Sequence, residues 1–546
     1  MRRSVTRPRR TLWIGVAVIC ILPGLCGAAE QVASERMKNG SSAAQRLAKQ
    51  ERLQEWLVDQ TPSAALTAPI RADLNAAERS DLQRPGPRWP GPLRIGLVKN
   101  LSPAVVLSGL DKVRGHRVAN GILQATDDGG FVWAASIASE GAGGLRVHLT
   151  DFRLPPNAEL YLYSPSGEAY GPYRDAGPGG DGDFWTDSIL DSEGVLVLRQ
   201  FGPATAEERR QITFTISAVG HIAPQLPQEL AAAATAFCNN PSCIVDVSCV
   251  SDPAVADVTN AVAQLEWIAG PYLWTCTGGL LADTDTTTEI PYLVTANHCI
   301  SRAKDAKNLE AFFHYRTSTC GQACPANTGF PKTLGATIKA TGTVGDFTLL
   351  QLNQAPPSGT VMLGWNSAPV AFNNGLDLYR ISHPNFGAQV FSHHQVDANV
   401  GTCGGWPRGE RIYSQDVQGA IDGGSSGSPV VNAAGQVVGQ LSGVCGLNVG
   451  DACDAASNST VDGALASYFA QVAPFLAPVS TCTPAPEVCN DGIDNDCDGA
   501  IDCNDANCVG TPACAGTCTA GGGTCTSDAQ CCSKSCKGAP GRKTCK

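Results

Sequence analysis

Gly423-Gly424-Ser425-Ser426-Gly427-Ser428-Pro429 runs straight into the apolar pair Val430-Val431, and a further strand-like run, Val437 to Leu441, follows. A flexible Gly/Ser linker would not lead into buried strands. Glycines around a serine let backbone N–H groups turn inward, where the amides of Gly424 and Ser426 can hold an oxyanion. Upstream, Leu293-Val294-Thr295-Ala296-Asn297-His298-Cys299 is an apolar strand ending in a histidine. Gly345-Asp346-Phe347-Thr348-Leu349-Leu350 places an acid at the mouth of another strand. Each alone has a plainer account, a structural histidine or a turn aspartate. Together they supply base, acid and nucleophile in the order His298, Asp346, Ser426. A serine hydroxyl attacks well only when an imidazole takes its proton, and a carboxylate fixes the tautomer of that imidazole. Cys299 offers a disulfide to pin the histidine strand, most simply to Cys276.

The 546 residues predict roughly three to four domains. A net charge of −11 argues against a nucleic-acid binder, which needs a basic face. Charged residues are only 16%, and 59 Gly with 35 Pro predict a turn-rich, all-β chain. Of 24 cysteines, Cys20 and Cys26 lie near the start and none falls between 27 and 237. Ten occupy 238–453 and twelve occupy 482–545, which reads as two disulfide frameworks made in an oxidising compartment. Residues 1–29 read as a secretory signal peptide: five early arginines, an apolar run from Leu12 to Leu25, then Gly27-Ala28-Ala29. No later segment reads as a membrane span, so the expectation is a secreted protein with no membrane attachment after signal cleavage.

Residues 30–90 are polar and Ala-rich, with one helical stretch from Gln45 to Leu57 and a linker-like remainder. From about 95 to 220 the pattern turns strand-like: Leu145, Val147 and Leu149 alternate with polar residues, as do Ile212, Phe214 and Ile216. A small cysteine-free β-sandwich is the economical reading. Residues 222–237 look like an exposed linker. From 238 to about 475 many short strands follow, enough for one sandwich or double barrel, closed by a helix from Ala464 to Ala473 that Pro474 stops. His383, His393 and His394 have no serine motif nearby and read as loop or surface residues.

The segments TANHC, GDFTLLQL and GGSSGSPV resemble the catalytic segments of chymotrypsin-fold serine peptidases, most nearly bacterial lysyl endopeptidases of the Achromobacter/Lysobacter type. CIVDVSC at 243–249, CTGGLL at 276–281, HPNFGAQ at 383–389, CGGWPRG at 403–409 and GQLSG at 439–443 follow in matching order. The resemblance implies a chymotrypsin-like double β-barrel over 238–478, with His298 as base, Asp346 as its orienting carboxylate and Ser426 as nucleophile, and no cofactor for catalysis. It implies that Ser442-Gly443-Val444 pairs with substrate backbone, that Trp406 lines the cleft, and that disulfides join Cys276–Cys299, Cys249–Cys320, and Cys243 with Cys445 or Cys453. The family also carries a β-rich propeptide, and GPYR…GDFWTDSIL at 171–190 resembles part of it. Residues 30–237 are therefore expected to be a propeptide, an intramolecular chaperone and inhibitor. In the primary pocket the family's acid aligns with Thr460, with Asp462 two places on, and the trypsin acid aligns with Ala420. No Lys or Arg lies between Arg210 and Arg302. The expectation is a pocket for small or apolar residues, with self-cleavage in LAAAATAF.

Residues 482–514 form an acidic, Cys-rich module resembling the DNDCDG repeats of myxobacterial-type secreted proteins. Asp494, Asp496, Asp498, Ala500, Asp502 and Asp505 fall where a calcium loop draws ligands, with Gly499 at the sharp turn. A solvated, disulfide-tied turn is the alternative to Ca2+. Residues 515–546 resemble an inhibitor cystine knot, which implies Cys518–Cys532, Cys525–Cys536 and Cys531–Cys545. Six cysteines allow fifteen connectivities. The expected function is a secreted, zymogenic serine endopeptidase acting on proteins or peptides. Its rivals are a catalytically silent adhesion or binding protein that uses the tail, and an esterase.

Overall fold

The computed structural model describes residues 30–478 apart from 84–90, 109, 111–116, 119–120, 225–237, 239 and 327–328, together with short pieces of the tail. It divides into two units, Met1–Leu476 and Ala477–Lys546. Among described helices none is long and apolar enough to cross a membrane.

The larger unit opens with the expected sandwich. One sheet orders Gly121–Ala125, Phe131–Ala138, Glu193–Gln200, Ala158–Tyr163 and Ala169–Tyr173; the other orders Phe184–Trp185, Gly144–Arg153, Thr213–Ile222 and Leu93–Ser108. Phe131–Ala138 is apolar without alternation because both its faces are covered. Phe131, Trp133, Ala135 and Ile137 enter the core between the sheets, whereas Val132 and Ala134 pack outward with Leu57, Tyr161 and Val195. Leu57 belongs to helix Ala43–Gln60, which starts in a capping box: Gln45 N–H donates to Ser42 Oγ (3.2 Å) and Ser42 N–H to Gln45 Oε1 (2.8 Å). The N-terminal stretch thus forms a third layer over the sandwich, where a linker was expected.

Residues 238–476 form two closed six-stranded barrels. The first runs Val262–Ala269, Tyr272–Leu281, Tyr292–Ala296, Phe347–Leu352, a strand bent at Gly335 (Lys332–Leu334 and Ala336–Gly342), and Glu310–Phe313, which pairs back with the first strand. Gly335 bonds on both sides, its N–H to Leu309 O (2.7 Å) and its carbonyl to Asn353 N–H (2.9 Å), so the ring closes across the bend. The second runs Asp377–Ser382, Val390–Val396, Arg411–Gln418, Asn458–Ala464, Val437–Gly446 and Pro429–Val431, which pairs with the first again. This is the chymotrypsin-like double barrel implied by the resemblance. The closing helix spans Leu465–Leu476 and contains Pro474, which the sequence reading placed as its stop. A proline in the last turn removes one backbone bond and spares the rest.

All ten cysteines of 238–453 are bridged: Cys238–Cys324, Cys243–Cys453, Cys249–Cys320, Cys276–Cys299 and Cys403–Cys445. Cys243 therefore takes Cys453, and Cys445 is held by Cys403. In the tail, Cys489–Cys508 and Cys525–Cys536 are joined and Cys545 is disulfide-bonded. Cys518, Cys531, Cys532 and the acidic loop from Asp494 to Asp505 lie outside the described residues.

Sandwich and first barrel share one sheet, because Leu93–Leu97 pairs antiparallel with Tyr272–Thr275. Glu35 and Arg36 likewise pair with Met362 and Val361 on the connection between the barrels. A buried ionic cluster crosses the same seam. From the sandwich, Arg146 Nη1 donates to Asn308 O (2.9 Å) and Ser188 N–H to Glu310 Oε1 (2.8 Å). From the barrel, Lys332 Nζ meets Glu310 Oε1 (2.8 Å) and donates to Ser188 O (2.6 Å), with the Tyr170 ring 4.1 Å away. The side chains of Arg146, Glu310 and Lys332 are at most 3% exposed.

Candidate active site

Register brings His298 and Asp346 together. Ala296 pairs with Phe347, so the residues just after one strand and just before the other meet at the rim of the first barrel. Asp346 follows Gly345 in left-handed backbone (φ +53° and +73°), which turns its carboxylate back onto His298. Asp346 Oδ2 accepts from His298 Nδ1 (2.8 Å) and Asp346 Oδ1 from the His298 backbone N–H (3.0 Å). The histidine is thus oriented at ring and backbone, leaving Nε2 facing away from the acid. Sequence reasoning missed the buttress behind this pair. Gln440 Nε2, from the second barrel, donates to the carbonyls of Gly345 (2.7 Å) and Asp346 (3.0 Å). Gln440 Oε1 accepts from Tyr468 OH, and the Tyr468 ring stacks on Phe347 at 4.1 Å. A glutamine mid-strand and a tyrosine in a closing helix carry no local sign of that task.

Ser426 stands in a tight loop of the second barrel tied to the first. Thr277 N–H donates to Ser426 O (2.8 Å) and Thr277 Oγ1 to Gly424 O (2.9 Å). Gly424 has φ +98°, and a Cβ there would come 2.7 Å from His383 O. Gly427 has φ +80°, and its Cβ would come 2.2 Å from Thr295 Oγ1, 2.5 Å from Thr277 O and 2.7 Å from Ala296 N. Two of those atoms are backbone and cannot swing aside. Gly427→Ala is therefore expected to cost about 3–5 kcal/mol, read as a large drop in the thermal midpoint. A midpoint within a degree or two of the parent would refute this account of the loop. The amides of Gly424 and Ser426 donate to no acceptor among the described residues, as an oxyanion site requires. Ser426 Oγ and His298 Nε2 are both buried and have no hydrogen-bond partner among the described residues. Catalytic contacts are often looser without substrate.

Ser442, Gly443 and Val444 lie where Val437–Gly446 has lost its partner on one side. Pairing with Pro429–Val431 ends at Gln440, while Gly443 and Val444 still pair with Val461 and Thr460. That leaves an edge for extended substrate backbone. Beside it a pocket is lined by Val444, Thr460, Ile421, Asp416, Asp422, Asp451 and Asp454, with no basic side chain among its lining residues. Asp416, unremarked in the sequence, accepts from Thr460 Oγ1 (2.8 Å) and His394 Nδ1 (2.7 Å). Burial pushes the Asp416 carboxyl up, but the His394 charge and the bonds from His394 and Thr460 outweigh it and hold it below the usual carboxylate range.

The other candidates fall in different surroundings. Asp462 shares a strand face with Thr460 but is ion-paired with Arg380, both fully buried, and it is absent from the pocket lining. Ala420 packs with Ile244 and Val390 and does not line the pocket either. Trp406 packs against Tyr413, Cys445 and Val461 on the second barrel. His383 and His394 are fully buried rather than surface residues. His383 stacks on Tyr315, its Nδ1 is 3.0 Å from Gly387 O, and burial pulls its pKa down to about 4. His393 stays partly exposed, 2.8 Å from Asp377.

Two six-stranded barrels, with a His–Asp pair on the rim of one and a glycine-bound serine on the other, have the architecture of a chymotrypsin-like peptidase. Residues 238–462 match the model of a family described as lysyl endopeptidase, C-terminal domain. The chain therefore carries a peptidase domain. Among solved structures, the Rv3671c protease from M. tuberculosis in its active form is 17% identical with a TM-score of 0.29, the match covering 43% of this chain and 90% of that one. The HtrA-type protease AlgW with tripeptide is 17% identical with a TM-score of 0.30, covering 40% of this chain and 62% of that one.

Proposed function

We propose that this chain is an exported serine endopeptidase, made as a precursor, that cleaves proteins on the carboxyl side of basic residues. The observation that carries the reading is the doubly bonded His298–Asp346 pair across the barrel seam from Ser426. His298 Nε2 takes the Ser426 proton as Oγ attacks the scissile carbonyl; the amides of Gly424 and Ser426 hold the resulting oxyanion. His298 then passes the proton to the leaving amine, and water repeats the cycle on the acyl-enzyme. Asp346 keeps the imidazole in the needed tautomer throughout.

The preference for a cationic side chain rests on Asp416. The pocket offers the carboxylates of Asp416, Asp422, Asp451 and Asp454 with no basic side chain in its lining, and although His394, outside that lining, already bonds Asp416, an ammonium or guanidinium recovers there charge-assisted bonds it loses on leaving water. This reading differs from the sequence expectation of a small or apolar residue. Asp416→Asn is expected to lower kcat/KM on lysine or arginine substrates by about 100-fold, some 2.7 kcal/mol of transition-state binding. A cleavage profile of the variant that still ranks basic residues first would refute the assignment. With no Lys or Arg from 211 to 301, such an enzyme cannot cut its own 222–237 segment. Activation then falls to a peptidase of different specificity. Fluorophosphonate labelling at Ser426 tests the class as a whole, and a processed protein that takes up no label would sink it.

A further inference from the structure

The strand that joins sandwich to barrel ends beside the nucleophile. Within Tyr272–Leu281, Thr277 touches both Ser426 and Gly424, and two residues earlier Thr275 pairs with Leu93 of the sandwich. Leu93 also reaches the serine loop itself: its Cδ1 lies 3.6 Å from where a Cβ on Gly423 would stand, one residue before Gly424. Leu93 and Ile95 pack there with Ile268, Leu273 and Phe386, three apolar residues of the double barrel.

The direction of a substrate through this site follows from the pocket. Val444 and Thr460 belong to the second barrel and line the pocket that the endopeptidase reading gives to the side chain on the acyl side of the scissile bond. The amine side must leave across Ser426 the opposite way, toward the first barrel. The free edge it meets there would be Thr275–Tyr272, already taken by Leu93–Leu97. We propose that the sandwich strand Leu93–Leu97 silences the precursor by filling this edge, which with Ile268, Leu273 and Phe386 would otherwise take the amine half of an extended peptide with apolar side chains. The proposal rests on the endopeptidase reading and adds to it where the amine half of a substrate binds and what displaces it.

The occupying strand is protected from the enzyme it blocks. The two peptide bonds immediately upstream of Leu93 both involve Pro92, in the sequence Pro90-Gly91-Pro92. Proline has no backbone N–H and a locked φ, so it fits an extended cleavage geometry poorly at either bond. The strand therefore stays whole while occupying the site, and only removal of the sandwich as a body frees the edge.

The test uses the full-length chain, nicked within 225–237 by an added protease and freed of its N-terminal part, with peptides that share one basic residue before the cleaved bond and vary in the two residues after it. Leucine or isoleucine in that stretch is expected to raise kcat/KM by at least about tenfold over aspartate. In parallel, the unnicked chain carrying Leu93→Asp and Ile95→Asp is expected to hydrolyse the leucine peptide at least about tenfold faster than the unnicked parent. Equal rates for leucine and aspartate peptides would overturn the subsite. An unnicked variant that folds, by circular dichroism, yet stays as silent as the parent would overturn the occupancy. If the nicked parent cleaves no peptide and takes no fluorophosphonate, the endopeptidase reading has failed instead, an outcome distinct from both.

Discussion

Ser426→Ala will lower the hydrolysis of a peptide substrate by about 10,000-fold or more while leaving the thermal midpoint nearly unchanged. The rate falls because Ser426 Oγ is the atom that carries the acyl group in the proposed mechanism. Stability should hold because Ser426 Oγ is buried without a hydrogen-bond partner among the described residues, so its removal takes a desolvated polar atom out of the structure and orphans none of them. His298→Ala should cost about as much, and the double variant little more, since the two act as one unit. Asp346→Asn is the more telling change. Both carboxylate oxygens accept from His298, one from the ring and one from the backbone. An amide offers only one acceptor, so either the ring loses its tautomer or the backbone N–H meets another N–H. A loss near 10,000-fold is expected, with a small cost in stability. Steady-state kinetics on one basic peptide reads all four variants, and a Ser426→Ala protein retaining more than a hundredth of the parent rate would refute the nucleophile.

Breaking the ionic cluster between sandwich and barrel should have the next largest effect. Glu310→Gln or Lys332→Met leaves charged partners buried without their counter-ion. A loss of this kind costs about 3–5 kcal/mol, or roughly 100- to 1000-fold and more in the affinity of the two parts. Four acids, Glu168, Asp187, Glu266 and Glu310, surround the two cations Arg146 and Lys332, with the Tyr170 and Tyr173 hydroxyls among them. Burial, and then the charge of Glu310, pushes Glu266 up to about 8. Burial likewise raises Glu168 and Asp187. Opposing its own burial, Glu310 is held below its ordinary value by Arg146 and Lys332.

The sign for Glu266 follows directly. Its pKa in the joined state lies above that of a solvated glutamate, so the joined state holds the extra proton. Its contribution is complete below the solvated value and is lost as pH rises through about 8. For this one group, association should weaken by up to tenfold per pH unit across that window. Nicked protein should stay joined on a sizing column near pH 5 and separate more readily near pH 9. A dissociation constant that is flat across that range, or that tightens with pH, would refute the linkage.

The His298, Asp346 and Ser426 candidates could be read from short motifs because each residue carries its surroundings with it: a strand before His298, a strand after Asp346, glycines around Ser426. Strand alternation showed the sandwich for the same reason, since one buried face imposes its period on the chain. Asp416 gave no such sign. It occupies a polar position in Arg411–Gln418, and only the pairing that closes the second barrel sets it opposite His394. Asp462 misled because side chains two apart share a strand face, yet Thr460 opens onto the pocket and Asp462 meets Arg380, 82 residues away. Arg146 and Glu310 are separated by more than 160 residues, so no window of sequence could join them. Helix Ala43–Gln60 was visible as a helix, but its role as a layer depended on which strand faces lacked a cover.

The placement of the disulfides has a consequence for the order in which the molecule can be made. Among the described residues the first bridged cysteine, Cys238, comes after the last sandwich strand, Thr213–Ile222. The bond from Cys243 to Cys453 then spans 210 residues and cannot close until nearly the whole double barrel has emerged. A chain delivered from its N-terminus can therefore complete the sandwich with no oxidation at all. Leu93–Leu97 is then a ready-made template when Tyr272–Leu281 arrives, well before that last bond locks. Reductant added during synthesis would stall the barrels and spare the sandwich, so the cysteine-free stretch from 27 to 237 can assemble independently of the redox state it meets.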